Sequence, residues 1–219
     1  MPADPETKAV IENVANALFA ELATKNWHMV QMADVAVASD MSLAELRDIA
    51  DSRLSILAKF AKQIDTQVLE EIDEDLSDEP ARERIFDILM TRLDNLEPYK
   101  QGIRSLVSQV RRDPLLALEL NRIACTSQSW MLSGAAVNTS GIMGMARTQG
   151  LVLAFSHVLK TWVDDDDTGL AKTMAELDKT LRQGETHLSR LERVVGLFEP
   201  RTRRRAEPET PTETAAESA

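Results

Sequence analysis

Three histidines (His28, His157 and His187), a single cysteine (Cys125) and the acidic run Asp164–Asp167 are the residues whose types suit catalysis or metal binding. Zinc needs ligands brought together at close spacing, such as two histidines at i and i+4 on one helix. The histidines here are scattered, and none has such a partner. His157 falls in an apolar helical stretch and reads as a satisfied core or pocket-lining histidine. Asp164–Asp167 would suit a hard cation by type, but consecutive acids on a helix end point in divergent directions, so the run reads as a solvated helix stop. Cys125 has no neighbour to activate it as a nucleophile and reads as a small core residue. Gly141 and Gly144 neither follow a strand nor meet a lysine, so they form no phosphate loop. The reading is of a chain with no catalytic residues, no metal, no cofactor and no enzymatic activity.

Recognition chemistry is more legible. From Asp34 to Leu57 the sequence runs DVAVASDMSLAELRDIADSRLSIL. It predicts a short helix, a tight turn at Ser39-Asp40-Met41, a second helix from Ser42 to Asp51 and a third segment from near Arg53. Two short helices joined by such a turn make a helix-turn-helix, which lays its second helix in a DNA major groove. That second helix carries Glu45, Asp48 and Asp51 against Arg47 alone, so its charge opposes what its shape suggests.

The remaining elements are helical. The chain has 219 residues, is 43% apolar and carries a formal net charge of -11, with eight glycines and eight prolines. An acidic chain repels phosphate backbones unless its basic residues cluster. One cysteine excludes an intrachain disulfide and fits a reducing compartment. Met1–Thr7 is polar, with no apolar signal-peptide core, and no apolar run is long enough to span a bilayer. A cytoplasmic protein is expected, with peripheral membrane contact left open. Apolar residues at helical spacing predict helices over residues 5–24 and from Arg53 to Ile72. Asp73–Pro80 is an acidic linker. Helices follow from Pro80 and from Glu97-Pro98. A longer one starts at Asp113-Pro114 (an N-cap followed by proline at the first helical position) and runs to about Ser133. Further helices are expected near Met145–Val163, over Gly169–Arg182 and over His187–Phe198.

The domain reading follows these breaks: residues 1–52, a helix-turn-helix module; 53–79, a connecting helix and acidic linker; 80–184, a helical ligand-binding and dimerisation domain; 185–205, an amphipathic helix with a basic end; and 206–219, a disordered tail rich in Pro, Glu, Thr and Ala.

Asp34, Val35, Ala36, Met41, Ser42, Leu46, Arg53, Ile56 and Leu57 resemble the helix-turn-helix of TetR-family regulators. That resemblance implies an all-α fold, with a three-helix head on a larger helical ligand-binding and dimerisation domain. It also implies a homodimer that binds a double-stranded DNA operator and is controlled by a hydrophobic small molecule. On this pattern Ser42, Leu43, Ala44 and Glu45 face the groove, while Arg47, Arg53 and Lys59 hold phosphate. Asp40 stands where the family has its turn glycine, Arg47 where it has a phosphate-contacting aromatic, and Ala50 where an aromatic anchors the second helix. A ligand pocket is expected from Trp130, Met131, Met143, Met145, Arg147, Leu151, Phe155, His157 and Trp162, since Met and aromatic side chains suit a broad apolar ligand. The same residues would also serve as core or dimer seam.

The C-terminal half is similar to a second branch of that fold, the lipid-binding accessory proteins of ubiquinone biosynthesis. The similarity lies in Arg92-Leu93, Pro98-Tyr99, Pro114 with Ala117-Leu118, Trp130 with Gly134, Arg147, and Trp162 with Asp164-Asp165. Trp27, Phe60 and Asp65 in the first half fit it too. This branch implies a carrier that binds no DNA and holds an isoprenoid-like lipid. Its membrane contact would run through Leu188, Leu191, Val194, Val195 and Phe198, followed by Arg201, Arg203, Arg204 and Arg205.

Overall fold

The computed structural model describes residues 5–73 and 78–198, the side chains of 191–198 excepted. Among them there is no strand; the all-α expectation holds. Nine α-helices are described: α1 (Pro5–Thr24), α2 (Met32–Ala38), α3 (Leu43–Ile49), α4 (Arg53–Glu70), α5 (Ala81–Leu96), α6 (Lys100–Val110), α7 (Pro114–Gly134), α8 (Gly141–Trp162) and α9 (Ala171–Phe198).

Local chemistry sets the head. In α1, Val14, Leu18 and Leu22 recur at helical spacing and are buried with Ala15 and Phe19, giving one apolar stripe to pack. Gln31 and Asp34 start α2 with a reciprocal cap. Ser39 Oγ donates to the Val35 carbonyl at 2.8 Å, and the Met41 N–H reaches back to the Ala36 carbonyl at 2.9 Å. Between them Asp40 sits at φ 55°, a left-handed turn more often given to glycine. Ser42 caps α3, which is short: Ala50 is extended and buried, so the helix ends at Ile49 rather than running to Asp51.

The long α4 serves both halves. Its Phe60 meets Phe19 edge-on at 5.3 Å between centroids and Tyr99 at 4.6 Å, closing an aromatic cluster between head and body. Gly102 of α6 lies directly under Phe19, so α1 and α6 cross closely. The body packs α5, α7 and α8 around Leu89, Leu93, Met131, Phe155, Val158 and Trp162, with α9 laid against α8 through Leu177 and Leu181. Asp113 accepts from Leu115 N at 3.1 Å and Leu116 N at 3.0 Å, the cap expected before Pro114.

Two boundaries differ from the sequence reading. α8 begins at Gly141, four residues before Met145. Gly144 permits that start, since a Cβ at this position would overlap the Thr139 backbone. The separate helices expected over Gly169–Arg182 and His187–Phe198 are one helix, α9. An isolated glycine such as Gly184 costs a helix only about 1 kcal/mol. Pairs one turn apart, Glu176 with Lys179 and Asp178 with Arg182, support the helix just before it. No helix of the described residues is long and apolar enough to cross a membrane.

Candidate functional site: the helix-turn-helix and the body cavities

α2 and α3 form the helix-turn-helix, and its second helix stands on the surface. Leu46 alone of α3 is fully buried; Leu43 is 56% exposed and Val37 of α2 is 82% exposed. Ser42, Ala44, Arg47 and Asp48 also face solvent. Glu45, the acid at the start of this helix, is engaged locally. Glu45 Oε2 accepts from the Ser42 N–H at 2.7 Å, and Ser42 Oγ accepts from the Glu45 N–H at 3.2 Å. This is a capping box. The Ser42 hydrogen bonds hold the Glu45 carboxyl below its usual range. Arg47 bonds Asp51 one turn on. The S-x-x-E spacing of Ser42–Glu45 is the sequence signal that marks Glu45 as a cap; reading Glu45 as a base contact overlooks it.

Arg53 is half-buried rather than splayed toward a phosphate. Its guanidinium lies 4.6 Å over the Trp27 ring, and Nη1 donates to the Trp27 carbonyl. Lys59 is exposed further along α4. The joint between head and body depends on residues with no local signature. Gln109 of α6 accepts from the Trp27 N–H and donates to the carbonyls of Leu22 at 3.4 Å and Lys25 at 3.3 Å. His28 pairs with Asp113, the cap of α7. The Asp113 carboxyl is pulled down first by the Leu116 N–H and also by His28.

Two cavities stand out in the body among the described residues. The larger, about 1010 Å³, is an open groove between α4 and α7 lined by Leu54, Ala58, Ala61, Asp65, Ile123, Ser127 and Trp130 among others. The smaller, about 660 Å³, lies between α5, α8 and α9 and includes Arg147, Leu151, His157, Leu181 and Leu188. The nine residues expected to make one pocket are therefore divided. Trp130 belongs to the groove; Arg147, Leu151 and His157 belong to the smaller cavity. Met131, Phe155 and Trp162 are packed in the core. Met143 is half-buried and Met145 is exposed, and neither lines either of these two cavities.

A buried ion pair supports the groove floor. Arg92 Nη1 bonds Asp65 Oδ1, and Ser127 Oγ donates to the same oxygen at 2.7 Å. Arg92 also lies 5.6 Å over the Phe155 ring. On the far side of α7, Cys125 is half-buried rather than core and bonds Gln149 Oε1 at 3.3 Å. His157 pairs with Glu176 at 2.9 Å, tying α8 to α9. Asp164–Asp167 does diverge. Asp165 is buried and accepts from Thr173 N at 3.0 Å and Thr173 Oγ1 at 2.8 Å, whereas Asp164 and Asp166 flank Arg104 at the surface. Of the expected membrane-contact residues, Leu188 is half-buried at the smaller cavity. The side chains of Leu191, Val194, Val195 and Phe198, and all of Arg201, Arg203, Arg204 and Arg205, lie outside the described residues.

The fold is that of the TetR regulators. The chain is similar to a TetR transcriptional regulator from Nitrosomonas europaea, at a TM-score of 0.59 and 18% identity over 84% of this chain and 99% of that one. It is also similar to one from Rhodococcus sp. RHA1, at a TM-score of 0.53 and 14% identity over 82% of this chain and 97% of that one. No family model matches the sequence, and no curated protein does. The likeness to the ubiquinone-biosynthesis accessory proteins has no counterpart in these two structures.

Proposed function

We propose that this chain is a TetR-type transcriptional regulator and not an enzyme: a homodimer that reads an operator with α3 and answers to a hydrophobic small molecule bound in its body. The observation that carries this reading is the capping box of α3. It engages Glu45 at the helix start, so the acid that most opposed groove entry has a structural duty. Ser42, Leu43, Ala44 and Arg47 then remain as the side chains presented to a groove, with Lys59 available to phosphate. Dimerisation is assigned to the outer face of α8, where Ile142, Met145 and Leu153 recur on one side and are exposed. Paired faces of this kind build helical-bundle dimers.

Selection of bound fragments from a genomic library, followed by salt titration, tests the reading. The expected result is a specific fragment set whose affinity falls linearly with the logarithm of salt. Arg47→Glu is expected to abolish the shift while leaving the circular-dichroism spectrum unchanged. Binding that shows no sequence preference at any salt concentration would end it.

A further inference from the structure

The α4–α7 groove carries chemistry of its own. The two helices run parallel along it: Asp65 meets Ser127, and further on Leu69 and Ile72 press on Gly134. From Leu54 to Leu69 the groove follows about 22 Å of helix axis, which suits an extended occupant. Ala58 and Ala61 keep it open, while Leu69, Ile123 and Trp130 make its walls apolar. Trp130 is 55% exposed at one end, a large ring left facing solvent inside a concave site.

Its charges have one sign to spare. Lys62 on α4 and Arg122 on α7 both line the groove and are exposed, and neither has an ion-pair partner among the described residues. The parallel register sets them at similar heights along the axis. Of the two acids lining the groove, Asp65 is already neutralised by Arg92, and Glu119 lies about one turn before Arg122 on α7. An anion entering here meets two cations from facing helices and a floor whose own charge is cancelled.

We propose that the α4–α7 groove binds an extended anionic amphiphile, its carboxylate held between Lys62 and Arg122 and its apolar body laid along Ala61 and Ile123 to cover Trp130. The occupant's role as effector rests on the regulator reading above; its chemistry rests on the groove alone. A free amphiphile is assigned rather than a membrane, because the site is a trough between helices and not a protruding face.

The test titrates the full chain with sodium dodecanoate below its micellar concentration, read by tryptophan emission and by calorimetry. Trp27 and Trp162 are buried, so a blue shift reports Trp130. Expected are saturable binding of one dodecanoate per chain and a loss of roughly tenfold or more in affinity for Lys62→Glu/Arg122→Glu. The cationic dodecyltrimethylammonium is expected to bind weakly by the same margin. Trp130→Phe should lose the optical signal and keep the heat. The proposal is overturned if dodecanoate does not bind, if it and the cationic detergent bind alike, if charge reversal leaves affinity unchanged, or if phosphatidylglycerol vesicles compete as well as monomeric dodecanoate. Dodecanoate binding without any DNA fragment bound overturns the regulator reading alone, and the reverse pattern overturns this one alone.

Discussion

The Arg53 guanidinium stacks on the Trp27 ring and donates to the carbonyl of Trp27. The first residue of α4 is thereby fastened to the segment that joins α1 to α2. Arg53→Ala is expected to destabilise the protein by about 1–2 kcal/mol through loss of the stacked cation and its hydrogen bond. Arg53→Lys should not restore it, since a point-charge ammonium cannot stack and fork at once. Urea midpoints measure the loss, and faster amide exchange confined to residues 22–30 would place it at this joint.

Asp65 and Arg92 are both buried, and each leaves an unpaired charge if the other is removed. Asp65→Ala is expected to cost about 3–5 kcal/mol, whereas Asp65→Ala combined with Arg92→Met should recover most of that loss. A double-mutant cycle in urea checks both. Additive effects would mean that the pair is not coupled.

Asp40 holds a left-handed turn without glycine's freedom. Asp40→Gly is expected to raise stability by about 1 kcal/mol, since a side chain in this region costs roughly that much. It also removes one negative charge beside α3, so any DNA affinity should rise with it. Thermal unfolding and the salt-titrated shift assay read the two effects separately.

At Gly102 an added methyl group would overlap Phe19 Cβ. Gly102→Ala is expected to destabilise by about 2 kcal/mol, because an overpacked crossing forces backbone movement. A neutral Gly102→Ala in thermal unfolding would show that α1 and α6 are not so close.

The Asp165 carboxyl is held below its ordinary value near 3.8, first by the Thr173 hydroxyl and then by the Thr173 and Asp167 N–H groups. A depressed folded pKa stabilises the fold above the unfolded value, and that stability is lost as pH falls through the folded one. Stability of the wild type should therefore decline into the acid range below about pH 4. Asp165→Asn should be less stable at neutral pH, with the difference closing as the medium is acidified. Urea midpoints across that range test the crossover.

The sequence by itself determined the parts governed by neighbours a few residues away. The extents of α1 and α4, the Asp113-Pro114 start of α7 and the helix-turn-helix around Ser42 follow from helical periodicity and capping, whose range is three or four residues. The Glu45 cap was legible there too, in its S-x-x-E spacing. Tertiary structure alone decided which faces of the apolar helices look inward. α8 is apolar nearly all round, so its pattern could not place Trp162 in the core, Leu151 at a cavity and Met145 in solvent. The groove floor joins Asp65 to Arg92, 27 positions away, and to Ser127, 62 positions away. Contacts over such separations leave no periodic trace in a chain; they exist because packed helices bring together side chains that local sequence rules treat as strangers.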